Sequence, residues 1–114
     1  MNFICSFTDP SGVLEDQVLA GFAELEELRR EIASVTFEIL RLCRRRNELA
    51  ERIAEIKMSL NLPVEDLSVE EDLRRRALEI CRSEDMDEDF CLKLLDLLIG
   101  ESKRLQREKL KMKA

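Results

Sequence analysis

The chain has 114 residues, 39% of them charged, with 25 acidic against 19 basic side chains and a net charge of -6. That balance argues against nucleic acid as a partner, since binding a polyphosphate needs a basic excess on the domain. There is no histidine, which removes the usual general base, the commonest metal ligand and every Ser-His or Cys-His pair.

No run of the sequence approaches the ~20 apolar residues of a membrane span, and no basic, hydrophobic leader opens it. Two prolines, three glycines and 4% aromatics predict an all-α protein with an aliphatic core, of a size for one domain. Cys5, Cys43, Cys81 and Cys91 show no CxxC spacing. They read as free thiols in a reducing cytoplasm rather than as a disulfide framework or a zinc site.

Residues 1–12 have no helical period and end in the turn-forming cluster Asp9, Pro10, Ser11 and Gly12, which predicts an irregular N-terminal arm. A single helical domain is expected over 13–114. Its first helix runs from Val13 to Leu60 and stops at Asn61, Leu62 and Pro63. One heptad register reads Val18, Leu25, Ile32, Ile39, Arg46 and Ile53; the other reads Gly21, Leu28, Val35, Leu42, Leu49 and Ile56. A helix of this length spans roughly 65–70 Å, far more than the radius of gyration of about 13 Å expected of a compact domain this size. An apolar seam that outruns its own domain needs a second copy, so the expected assembly is an intertwined helical homodimer.

A second helix is predicted from Leu67 or Ser68 to Cys81, with Ser68 and Glu71 spaced as a capping box and an apolar face of Val69, Leu73, Ala77 and Ile80. After an acidic break, in which Asp85 or Asp87 can cap, the third helix is expected over Asp87 to Leu110. Its stripe begins apolar at Cys91, Leu94, Leu95 and Leu98, then continues through the polar Ser102 and Gln106. The basic run from Lys103 to Lys113 reads as a solvated helix end.

Arg46 interrupts the seam, and an arginine there either snorkels, forms an internal ion pair, or meets an anion. Eight basic against five acidic residues between Arg29 and Lys57 favour a small anionic ligand within an otherwise acidic chain. Lys57 lies three helical turns beyond Arg46 on the same face, about 16 Å away. Asp66 with Glu70, and Ser102 with Gln106, are two further pairs spaced by one turn. Asp66 also fits a plain helix cap, Glu70 a carboxylate favoured by the helix dipole, and Ser102 with Gln106 a polar rim. Arg29 lies too far from Arg46 along one helix to share its site within a subunit.

Taken together, LRREI (Leu28 to Ile32), RRRNELAERIAEIK (Arg44 to Lys57), LPVEDLSVEEDL (Leu62 to Leu73) and LLIGESKRLQ (Leu97 to Gln106) resemble the all-helical chorismate mutases. The resemblance implies an intertwined dimer of three-helix chains that rearranges chorismate to prephenate, in phenylalanine and tyrosine biosynthesis, with no metal or cofactor. It implies that Arg46 and the partner subunit's Arg29 hold the two substrate carboxylates, with Ser102 assisting. Lys57 and Gln106 would hydrogen-bond the ether oxygen, and Asp66 and Glu70 would face the ring hydroxyl. Val69 stands where many members carry arginine, and Thr36 where many carry aspartate. An isochorismate pyruvate-lyase on the same fold, a non-catalytic dimerisation or regulatory relative, and a plain helical adaptor are the alternatives.

Overall fold

The structure, a computed structural model, describes residues 12–113. The arm expected over residues 1–12 falls outside the described residues except for Gly12, as does Cys5. Three helices follow in order: α1 (Val13–Ser59), α2 (Leu67–Ser83) and α3 (Glu88–Lys113). The chain divides into two units, Met1–Leu40 and Arg41–Ala114. Among the described residues no helix is long and apolar enough to cross a membrane.

Within the first unit the described residues form one stretch of α1. It begins at Gly12, whose carbonyl accepts from the Asp16 N–H at 3.0 Å, and carries Glu15 and Asp16 in its first turn, where the helix dipole favours carboxylates. The seam is visible and uncovered in the single chain: Leu28 is 53% exposed, Ile32 67% and Val35 58%. A Cβ added at Gly21 would meet nothing, so that position is equally open.

The second unit closes on itself. Its buried residues are Ala50 and Ala54 of α1, Cys81 of α2, and Leu95, Ile99 and Gln106 of α3. On α1 the face covered by the chain itself is therefore not the apolar heptad seam, where Leu49, Ile53 and Ile56 stay exposed, but the row Ala50, Ala54 and Lys57, which meets the seam at Arg46. The small alanines leave room there for a neighbouring helix.

On α2 the expected apolar face is shifted by one residue. Ile80 (61% exposed) lies outside and Val69 (59%) sits at the exposed edge, whereas Glu70, Leu73, Ala77 and Cys81 are more covered. A carboxylate, not a valine, starts the inner row. An ion pair from Arg74 to Asp96 at 2.6 Å joins α2 to α3, and one from Lys109 to Glu55 at 3.1 Å joins α3 to α1.

Both interhelical breaks use the same device. After α1, Asn61 takes the left-handed conformation (φ 59°), the Leu62 N–H donates to the Lys57 carbonyl at 2.8 Å, and the Asn61 N–H donates to that of Met58 at 3.2 Å. After α2, Asp85 (φ 53°) does likewise, with Met86 donating to Cys81 and Asp85 to Arg82. Both closures are Schellman motifs in which Asn or Asp replaces the usual glycine.

The cap of α2 differs from the capping box expected at Ser68 and Glu71. Asp66 is the N-cap: its carboxylate accepts from the Val69 N–H at 3.3 Å, and Ser68 Oγ donates to it at 2.9 Å. An aspartate two residues upstream outcompetes the serine hydroxyl because it is the stronger acceptor. Asp87 caps α3, accepting from the Phe90 N–H at 2.9 Å. α2 runs two residues beyond the expected Cys81, and α3 continues past Leu110 to Lys113.

Candidate active site

The second unit holds a pocket of about 310 Å³, at the lower end of the size range for small-molecule sites. Its polar lining contains six of the seven residues singled out from sequence: Arg46, Lys57, Asp66, Glu70, Ser102 and Gln106. Ile53, Val64, Val69, Leu73 and Ile99 form the apolar wall. All three helices and the α1–α2 connection contribute.

Among the described residues Arg46 meets no carboxylate in its hydrogen bonds or ion pairs, and it does not snorkel out. It is partly buried, and its Nη1 donates to the Leu98 carbonyl at 3.0 Å and to Ser102 Oγ at 3.2 Å. Both acceptors are neutral, so the guanidinium charge stays uncompensated by them, and its remaining N–H groups form an unspent fork suited to a carboxylate.

Lys57 is fixed the same way. Its Nζ donates to the Val64 carbonyl at 2.7 Å and to Gln106 Oε1 at 3.0 Å, again neutral acceptors. An ammonium has three N–H groups, so one remains. Gln106 is only 6% exposed, and with Oε1 engaged by Lys57 its amide Nε2 is the side left to donate. Lys57 and Gln106 thus form a joined pair of donors.

The acidic side is built differently. Asp66 spends its carboxylate on capping α2, and the Ser68 hydroxyl, followed by the Val69 N–H and the Lys57 charge, holds its carboxyl below the usual 3.8. Glu70, by contrast, faces inward at 15% side-chain exposure. Its nearest cation is Lys103, with Nζ 2.7 Å from Oε1.

Lys103 also lines the pocket, at 25% side-chain exposure, which corrects its reading as part of a solvated basic end. The missed signal was its place one residue past Ser102, on the inner edge of α3. Arg104 and Arg107 of the same run are exposed, as expected of a solvated end.

Arg29 does not line this pocket. It belongs to the first unit, is 62% exposed, and pairs with Glu26 one turn away at 2.6 Å. Among the described residues no cluster of Cys, Asp or Glu could hold a metal ion. Cys43, Cys81 and Cys91 are free thiols, buried or half-buried.

Residues 28–107 match the family model described as Chorismate mutase type II. A chorismate mutase of Methanocaldococcus jannaschii is 34% identical over 85 residues, covering 75% of this chain and 86% of the relative. A bifunctional chorismate mutase/prephenate dehydratase of Aquifex aeolicus is 56% identical over 41 residues, 36% of this chain and 11% of that protein.

Proposed function

Since the chain belongs to the chorismate mutase type II family, we propose that it converts chorismate to prephenate in the pocket between Arg46, Lys57, Glu70 and Gln106. The observation that carries this reading is the pair of cations, Arg46 and Lys57, each positioned by neutral acceptors and each keeping unspent N–H groups toward one small cavity. Chorismate is a dianion with two separated carboxylates, an ether oxygen and a ring hydroxyl, and the pocket offers a counterpart for one carboxylate, the ether oxygen and the hydroxyl.

The reaction is an intramolecular [3,3] rearrangement: the ether C–O bond breaks as a C–C bond forms, and no proton need move. The protein must select a compact conformer of the substrate and stabilise the negative charge that builds on the ether oxygen. In this assignment Arg46 holds the side-chain carboxylate with help from Ser102. Lys57 and the Gln106 amide donate to the ether oxygen, and they gain most in the transition state. Glu70 accepts from the ring hydroxyl, with Asp66 at the same end. The apolar wall of Ile53, Val64, Leu73 and Ile99 keeps water away and strengthens these charge interactions.

The second carboxylate needs another cation, which we assign to Arg29 of a second copy. The uncovered seam of the first unit supports an intertwined homodimer, because leucine, isoleucine and valine at heptad spacing gain about 25 cal/mol per Å² when covered. Free thiols suit a cytoplasmic setting.

The test is the loss of chorismate absorbance with purified protein, prephenate identified as product, and Arg46→Ala run beside it. Turnover that the substitution abolishes is expected. A folded wild-type protein with no turnover, or an Arg46→Ala variant as active as wild type, would contradict the assignment.

A further inference from the structure

Within the site just assigned, and resting on that assignment, we propose that Lys103 is a positioning residue: its ammonium fixes the Glu70 carboxylate at the pocket wall so that Glu70 can accept from the substrate hydroxyl. Four observations carry this.

Glu70 Oε1 is sealed from solvent and, among the described residues, meets no donor with good hydrogen-bond geometry. What it has is the Lys103 ammonium at 2.7 Å. A carboxylate oxygen in that position is costly without a compensating charge, so removing the lysine would leave Glu70 to turn outward.

Lys103 is also set apart from the basic run that contains it. Its side chain is 25% exposed, against 58% for Arg104 and 52% for Arg107. The other carboxylate within its reach, Glu65, is farther at 3.7 Å and already has Arg107 at 3.2 Å. Glu70 is therefore the nearer and main partner of Lys103, with Glu65 a longer second contact.

The contact is reciprocal: the Glu70 carboxylate raises the Lys103 ammonium above the ordinary lysine range, which outweighs the opposing effect of burial. With Oε1 engaged by Lys103, Oε2 is the oxygen left to accept from a ligand. The lysine acts through the glutamate and needs no contact with the substrate.

The test is a double-substitution cycle in the full chain, with steady-state chorismate kinetics on wild type, Lys103→Met, Lys103→Arg, Glu70→Gln and the double variant. Lys103→Met is expected to lower kcat/KM by about 10- to 50-fold, and Lys103→Arg, which keeps the charge, by less than about 3-fold. On the Glu70→Gln background, Lys103→Met should cost less than about 3-fold more, because there is no longer a carboxylate to hold. Glu65→Gln, which removes only the longer contact, should stay within about 2-fold of wild type.

The inference is overturned if Lys103→Met stays within about 2-fold of wild type, or if its cost is the same on both backgrounds. A loss in Glu65→Gln equal to that in Lys103→Met would overturn it too, by showing that the lysine anchors the connection before α2. Should Lys103→Met not fold, the double variant compared with Glu70→Gln, together with Lys103→Arg, still decides the matter. Failure of the wild-type protein to turn over chorismate would instead bring down the site assignment itself, a result that wild type alone reveals.

Discussion

Arg29 and Arg46 stand on the same helix and have opposite surroundings. Arg29 is 62% exposed and neutralised by Glu26 within its own turn. Arg46 is partly buried, spends its Nη1 on a carbonyl and a hydroxyl, and meets no carboxylate in these hydrogen bonds. The same contrast holds for the two units. The first shows its apolar residues to solvent, and the second covers Ala50, Ala54, Leu95 and Ile99 with its own helices. One unit closes around a pocket, and the other leaves its apolar seam uncovered. The charged residue in the closed unit is held by neutral acceptors, whereas the one in the uncovered unit is paired with a carboxylate of its own turn.

The sharpest way to break this comparison is to remove the prepared cations. Arg46→Ala and Lys57→Ala should each lower kcat/KM by about 100- to 1,000-fold while circular dichroism stays native, because each removes a pocket charge and little core packing. For Lys57→Ala the fall should lie mainly in kcat, since the ether oxygen gains its charge only in the transition state. A purely binding role would raise KM instead.

The next test falls on the uncovered unit. Ile32 and Val35 are 67% and 58% exposed in the single chain, so glutamate there is harmless to a monomer. In an intertwined dimer it buries a charge on the seam. Ile32→Glu should shift the sedimentation coefficient from dimer to monomer and abolish activity; an unchanged dimer would place the interface elsewhere.

A smaller effect tests three carboxylates of the second unit. Folding lowers the carboxyls of Asp66 and Asp72 below the usual 3.8 and that of Glu101 below 4.5. A group depressed in the folded state stabilises it above the unfolded value, and that stability is lost as pH falls through the folded value. Melting temperature should therefore fall as the pH drops below 4.5 and then 3.8. Asp66→Ala should reduce it at neutral pH, whereas Asp66→Asn, which keeps a capping oxygen, should reduce it less and flatten part of the acid dependence.

The smallest effect concerns the closed end of the second unit. Cys91 beside it, then burial and the nearby Glu88 and Asp87, push the Cys81 thiol up to about 11. Iodoacetamide labelling at pH 8, read by peptide mass, should leave Cys81 unmodified after Cys43 has reacted. Equal rates would mean that this end opens readily.

Much of this arrangement can be read from spacing. Arg46 and Lys57, eleven residues apart, fall on one helical face, and the structure places both on one pocket. Asn61 before Pro63 announces the stop that the left-handed Asn61 provides. What resisted reading was which residue of a neighbouring pair turns inward. Val69 is the obvious apolar choice, yet Glu70 takes the inner position, because on the facing helix Lys103 supplies a charge that no pattern within α2 reveals. Lys103 was hidden in turn by its basic neighbours, two of which, Arg104 and Arg107, are solvated. The heptad register likewise marks the face that the single chain leaves uncovered, while the self-covered face is marked by the alanines at 50 and 54. Tertiary partners decided these positions, and they lie far away in sequence.

The most direct measurement is subunit complementation. Arg29→Ala and Arg46→Ala proteins, each inactive alone, are unfolded together, refolded as a mixture and assayed with chorismate. If each site takes Arg46 from one copy and Arg29 from the other, half of the dimers are mixed and each has one intact site. The mixture should then recover about a quarter of wild-type activity. A mixture as inactive as its parents would contradict the account, since both arginines would then serve the same site from one chain.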